Sequence, residues 1–151
     1  MELLAALRDA SHRLERAGVP APGVDAEILL SALLGLPRGE MLARAQTGKN
    51  LAAEHEHDWE AMVSRREARE PLQHITGMAP FMDFEVAVGE GVFVPRPETQ
   101  ALVEAAITHA RSTAVGEEGL RIVDLCAGSG VIAVSLARAI LHADVSAVEA
   151  S

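Results

Sequence analysis

The segment richest in chemical content is Asp124-Leu125-Cys126-Ala127-Gly128-Ser129-Gly130-Val131-Ile132-Ala133. It follows an apolar run, Leu120 to Leu125, that reads as a strand, and it opens a run from about Gly130 to Leu141 that reads as a helix. In that context glycines let the backbone turn sharply and approach a ligand with no Cβ in the way, while the helix start presents unpaired N–H groups to a polar or anionic group. Glu149 stands 19 residues beyond Gly130, at the end of the next predicted strand, Asp144 to Glu149. A carboxylate there can accept hydrogen bonds from both hydroxyls of a ribose. Together these residues predict a site for a nucleoside-containing cofactor. Gly128, Gly130 and Ala133 also satisfy the G-x-G-x-x-A form of the dinucleotide fingerprint, so the pattern leaves open a nicotinamide dinucleotide, S-adenosylmethionine, or a βα turn whose glycines serve packing alone.

A second candidate is Val94-Pro95-Arg96-Pro97-Glu98-Thr99. Flanked by two prolines, Arg96 is held extended and cannot join the helix that follows. It suits the wall of a cofactor site or a substrate clamp, or else it pairs with Glu98 or with Asp124. His55 and His57 flank Glu56, but residues two apart on a helix point to nearly opposite sides, so no metal site is expected. Cys126 reads as a small packing residue, because no neighbouring His would activate it.

The elements that must position these residues follow from periodicity. Leu3, Leu4, Leu7, Ala10, Leu14 and Ala17 recur at helical steps and Gly18 stops them. A second helix is predicted from about Val24 to Leu34 with Glu27 in its first turn, a third from Arg38 to Ala45, and a fourth carrying Leu51, His55, Trp59, Met62, Val63 and Arg66 on one stripe as far as Pro71. These make a small antiparallel helical bundle. Beyond Pro71, Phe81, Phe84, Val86, Val88, Val92, Phe93 and Val94 predict two or three short strands, with a β-hairpin among them. A helix from Pro97 to Arg111, with Pro97 at its first position, leads through a polar linker, Ser112 to Gly119, into a βαβ unit. The fold class is α/β.

Composition narrows the partners. The 151 residues carry 13 Lys+Arg against 22 Asp+Glu, a formal charge of −9, which disfavours direct contact with nucleic acid or anionic lipid. Aromatics are only 3% of the chain, so the core must be aliphatic. One cysteine excludes an intramolecular disulfide and fits a reducing compartment. Charged residues interrupt the first twenty positions, and no run of 18 apolar residues occurs, so a soluble cytoplasmic protein without a membrane segment is expected.

Four segments carry a family resemblance. Asp25-Ala26-Glu27-Ile28-Leu29-Leu30, then Arg65-Arg66 with Glu70-Pro71-Leu72-Gln73-His74-Ile75-Thr76-Gly77, then Phe93 to Thr99, then Val123 to Gly130, occur in this order. They resemble the N-terminal half of the peptide-chain release factor N(5)-glutamine methyltransferases, and the D-x-x-x-G-x-G pattern starting at Asp124 resembles motif I of class I methyltransferases. The resemblance spans essentially the whole chain. It implies a helical substrate-recognition domain (1–72), a β-hairpin linker (73–95) and the beginning of a class I, Rossmann-like methyltransferase domain (96–151). It also implies methyl transfer from S-adenosylmethionine to the side-chain amide of the glutamine in the release factors' Gly-Gly-Gln motif. Carried over by position, Cys126, Ala127, Gly128, Ser129, Gly130 and Glu149 would hold the cofactor, Asp124 would organise its amino-acid end, and Arg96, Pro97 and Thr99 would lie beside it.

The chain departs from the family pattern at Cys126, where glycine is common, at Gln100, where an acid is frequent, and at Glu149, where Asp is usual. Cys126 lacks glycine's freedom at positive φ. The family's Asn-Pro-Pro-Tyr segment, which would hold and align the weakly nucleophilic amide, does not occur in these 151 residues. The expectation is therefore an N-terminal portion whose methyltransferase fold is cut after its second strand and which is inactive alone. Two alternatives are a non-catalytic fragment with a protein-binding helical domain and a ribosomal-protein glutamine methyltransferase of the same family.

Overall fold

A computed structural model describes residues 1–113 and 119–150. Most of the predicted polar linker, residues 114–118, lies outside the described residues. The chain divides into two compact units, Met1–Thr76 and Gly77–Ser151.

The first unit is helical: α1 (Leu3–Arg16), α2 (Pro22–Leu34), α3 (Arg38–Gln46), α4 (Ala53–Glu67) and α5 (Leu72–Thr76). Leu3, Leu7, Ala10 and Leu14 form the buried stripe of α1, and Ala26, Leu29, Leu30, Met41, Trp59, Val63 and Ile75 from the other helices complete one core. Burial of each large side chain contributes about 1.5–3 kcal/mol. Helix α2 ends at Gly35, whose φ of 61° lets Leu36 donate back to the Ser31 carbonyl. Two polar ties cross this unit. Arg13 of α1 reaches Glu60 and Glu67 of α4, and Arg66 of α4 pairs with the nearly buried Asp25 of α2.

Several boundaries differ from expectation: Leu51, read as part of the fourth helix, precedes α4, and three further differences have a local cause. Helix α2 opens at Pro22, whose missing N–H costs nothing at a first position, so Asp25 rather than Glu27 occupies the first turn. Pro71 does more than end the bundle: its carbonyl accepts from His74 and Ile75 and so opens α5, a turn too short to show periodicity. Helix α6 (Thr99–Thr113) begins after Pro97, because Thr99, Gln100 and Ala101 donate three residues back to Arg96, Pro97 and Glu98 in a tighter entry turn.

The second unit opens with an antiparallel hairpin, β1 (Met78–Phe81) and β2 (Phe84–Ala87), paired in register from Met78↔Ala87 to Phe81↔Phe84. No strand forms at 92–94, where Pro95 and Pro97 follow and remove ladder donors. Then come α6, β3 (Arg121–Leu125), α7 (Val131–Ala139) and β4 (Asp144–Val148), with β3 and β4 parallel and Leu125 opposite Val148. Phe81, Val103, Val131 and Leu136 make the core, supported by Phe84, Ile107, Ile122 and Val145, so the hairpin contributes to this unit's interior. Strand alternation turns Ile122 and Asp124 inward and leaves Val123 and Leu125 exposed at 59% and 70%. Among the described residues no helix is long and apolar enough to cross a membrane.

Candidate cofactor site

The site forms where β3 stops and α7 has not begun. Cys126 has φ 60°, Gly128 φ 54° and Gly130 φ 75°, so three of five loop residues occupy the left-handed region. Two are glycine, which adopts it freely, whereas Cys126 carries a Cβ there and adopts it against its preference.

Hydrogen bonds hold this loop to the neighbouring strand. Ala127 donates to the Val148 carbonyl at 3.1 Å and Gly130 donates to Ala127 at 2.8 Å. The Gly128 amide donates to Glu149 Oε2 at 2.6 Å, while Glu149 Oε1 accepts from the Ala150 amide at 2.9 Å. The Glu149 carboxylate therefore stands directly at the loop, at the carboxyl edge of both strands. Asp124 is 8% exposed, and its Oδ2 accepts from the Ala133 amide at 3.2 Å, pinning the first turn of α7 to β3. This inward position makes Asp124 a residue that sets the loop's frame.

The loop offers room for a ligand. A Cβ built at Gly128 or Gly130 would meet nothing within 4 Å, and Gly130, which precedes α7, has no side chain to cap it. Backbone donors, an open approach and a carboxylate at the strand end suit a nucleoside with ribose hydroxyls and a polar tail.

The structure thus ties Ala127 and Gly130 to each other and Gly128 to Glu149, with Cys126 and Ser129 in the same loop, while Asp124 is bonded to Ala133 at the start of α7. Arg96 and Pro97 are exposed and Thr99 half-buried; among the described residues no hydrogen bond or ion pair links these three side chains to the loop. Nor does Arg96 pair with Glu98 or Asp124. Sequence reasoning missed the two contacts that fix the loop, Gly128 to Glu149 and Ala133 to Asp124. The alternation of β3 carried a signal for the second, since it puts Asp124 on the same face as Ile122.

The chain is similar to known proteins over its whole length. Residues 5–77 match the PrmC N-terminal domain. The chain is 50% identical over 149 residues, 99% of its length, to a release factor glutamine methyltransferase of Streptomyces coelicolor, covering 50% of that protein. It is 44% identical over 144 residues to the Corynebacterium glutamicum protein of that name, covering 95% of this chain and 48% of that protein. It is 38% identical over 152 residues to that of Deinococcus radiodurans, covering 100% of this chain and 52% of that protein. The chain spans about half the length of these relatives. Across its whole length the chain is thus similar, at 38–50% identity, to release factor glutamine methyltransferases.

Proposed function

We propose that this chain supplies the substrate-recognition domain and the cofactor-binding front of an S-adenosylmethionine-dependent protein-glutamine methyltransferase. Its substrate is the side-chain amide of the glutamine in the Gly-Gly-Gln motif of peptide-chain release factors. The observation that carries this reading is the Gly128 amide bonded to the Glu149 carboxylate at the mouth of the β3–α7 turn, in a chain 50% identical to a release factor glutamine methyltransferase. In the proposed division of labour, residues 1–72 with the short helix after them meet the protein substrate, the hairpin within 73–95 braces the catalytic fold, and 96–151 begin the class I methyltransferase domain.

Each loop residue has a task. The backbone of Cys126, Ala127, Gly128, Ser129 and Gly130 lines the cofactor, and Glu149 orients its ribose. Asp124 keeps the α7 start in register, and Arg96, Pro97 and Thr99 form the adjoining wall. S-adenosylmethionine supplies an electrophilic methyl group on a sulfonium. An amide nitrogen is a weak nucleophile, so the protein's part is to align that nitrogen with the methyl and to accept its proton's hydrogen bond. These 151 residues contain no Asn-Pro-Pro-Tyr to do so, and the polypeptide by itself is expected to be inactive. The partner is a protein, with no direct contact to nucleic acid or membrane, and the work belongs in the cytoplasm where translation terminates.

The test is incubation with methyl-labelled S-adenosylmethionine and a release factor, using the longest natural reading frame that contains these residues and, separately, the 151-residue polypeptide. The longer protein should label the Gly-Gly-Gln glutamine and the short one should not. Label on a ribosomal protein instead, or turnover by the short polypeptide, would overturn the reading.

A further inference from the structure

The helical unit contains a cleft of about 320 Å³ remote in sequence from the glycine loop. Its floor is apolar, built from the buried Leu3 and the half-buried Leu34, and Arg44, Lys49 and His55 stand in its walls. No wall residue is acidic, in a chain whose formal charge is −9. Lys49 is the only lysine of the sequence, and among the described residues its ammonium has no ion-pair or hydrogen-bond partner. Three acids stand beside these walls, and the first, Glu2, is bridged through its backbone to Asn50 and has its Oε1 3.9 Å from the Cβ position of Gly48. Glu40 holds Arg44 at 2.7 Å along α3, and Glu54 approaches His55 at 3.9 Å.

The backbone that presents Lys49 is fixed. Leu3 donates to the Lys49 carbonyl at 2.9 Å and Leu51 donates to Met1 at 2.8 Å, so the segment before α4 is tied to the start of α1 by a short antiparallel bridge. A cation with no partner, carried on a rigid segment above an apolar floor, is arranged for an amphipathic anion. A bare inorganic ion would leave Leu3 and Leu34 uncovered. A glutamate side chain would lay its methylenes on them and its carboxylate against Lys49 and Arg44.

We propose that this cleft binds an acidic side chain of a partner polypeptide, with Lys49 as its principal contact. The cleft lies within residues 1–72, which the proposed function gives to the protein substrate, so the proposal deepens that reading, while its observations come from the helical unit alone.

The single lysine gives a direct probe. Reductive methylation with carbon-13 formaldehyde keeps the positive charge and yields one side-chain NMR signal, separate from that of the terminal amine. Titrating the chain with a capped hexaglutamate peptide should shift the Lys49 signal saturably, and a hexaglutamine peptide should not. Lys49→Met should weaken peptide binding about fivefold or more with an unchanged circular dichroism spectrum and Tm, because the ammonium bonds nothing in the free protein. Equal shifts with the glutamine peptide, or no saturable shift at all, would overturn the proposal. Acetate binding as tightly as the peptide would assign the cleft to a free small carboxylate and overturn it too.

Discussion

The Gly128 amide donates a 2.6 Å hydrogen bond to the Glu149 carboxylate, joining the loop after β3 to the end of β4. That one contact makes the acid both a brace for the loop and the group nearest the open side of its glycines. Glu149 reaches the amide from just past the end of its strand, where β3 and β4 pair in register up to Leu125 opposite Val148.

Cys126 occupies the left-handed region at φ 60° with an exposed side chain. Cys126→Gly should raise stability by up to about 1 kcal/mol, the relief of strain being partly offset by glycine's greater unfolded entropy. Cys126→Val, β-branched at the same φ, should lower it by about 1–2 kcal/mol. Urea unfolding with a constant m value checks both.

Arg66 bridges Asp25 Oδ2 at 2.7 Å and the Glu70 carbonyl at 2.7 Å, with both side chains of the ion pair under 15% exposed. Arg66→Met would strand the Asp25 carboxylate in a nearly dry site and should cost about 3 kcal/mol. A double-mutant cycle with Asp25→Ala should recover part of this loss, and strict additivity would contradict the pairing.

Arg13 holds the carboxyls of Glu60 and Glu67 below the usual carboxylate range, chiefly by hydrogen bonding to each. Because the folded values are depressed, the stabilisation is complete above the unfolded carboxylate range and is lost as pH falls through the lowered values. The urea midpoint should therefore drop between about pH 5 and pH 3, and Arg13→Met should flatten that drop. Both glutamates are partly solvated, so the change should be modest.

What the sequence revealed and what it hid differ by the range of the interaction. The stripe of Leu3, Leu7, Ala10 and Leu14 and the strand–glycine–helix pattern around Gly128 are local, and local patterning fixes them. Arg13 meets Glu60 and Glu67 from 47 and 54 residues away, and no spacing along the chain announces such a partner. Helix α5 spans five residues, too few for a period to repeat, so Pro71 read as an end when it is also a beginning. Phe81 read as one apolar residue among several in a linker, yet it is 2% exposed in the core of the second unit, which only tertiary packing decides. Arg96 was legible as a residue kept out of the following helix, whereas Pro97, expected at its first position, lies before it and Thr99 opens it.

Equilibrium titration of the purified chain answers most directly whether the loop bounded by Asp124, Gly130 and Glu149 takes S-adenosylmethionine. S-adenosylmethionine should bind saturably, Glu149→Ala should weaken that binding about tenfold or more, and NAD should not compete. Binding that is indifferent to Glu149→Ala, or displaced by NAD, would contradict the assignment of this site.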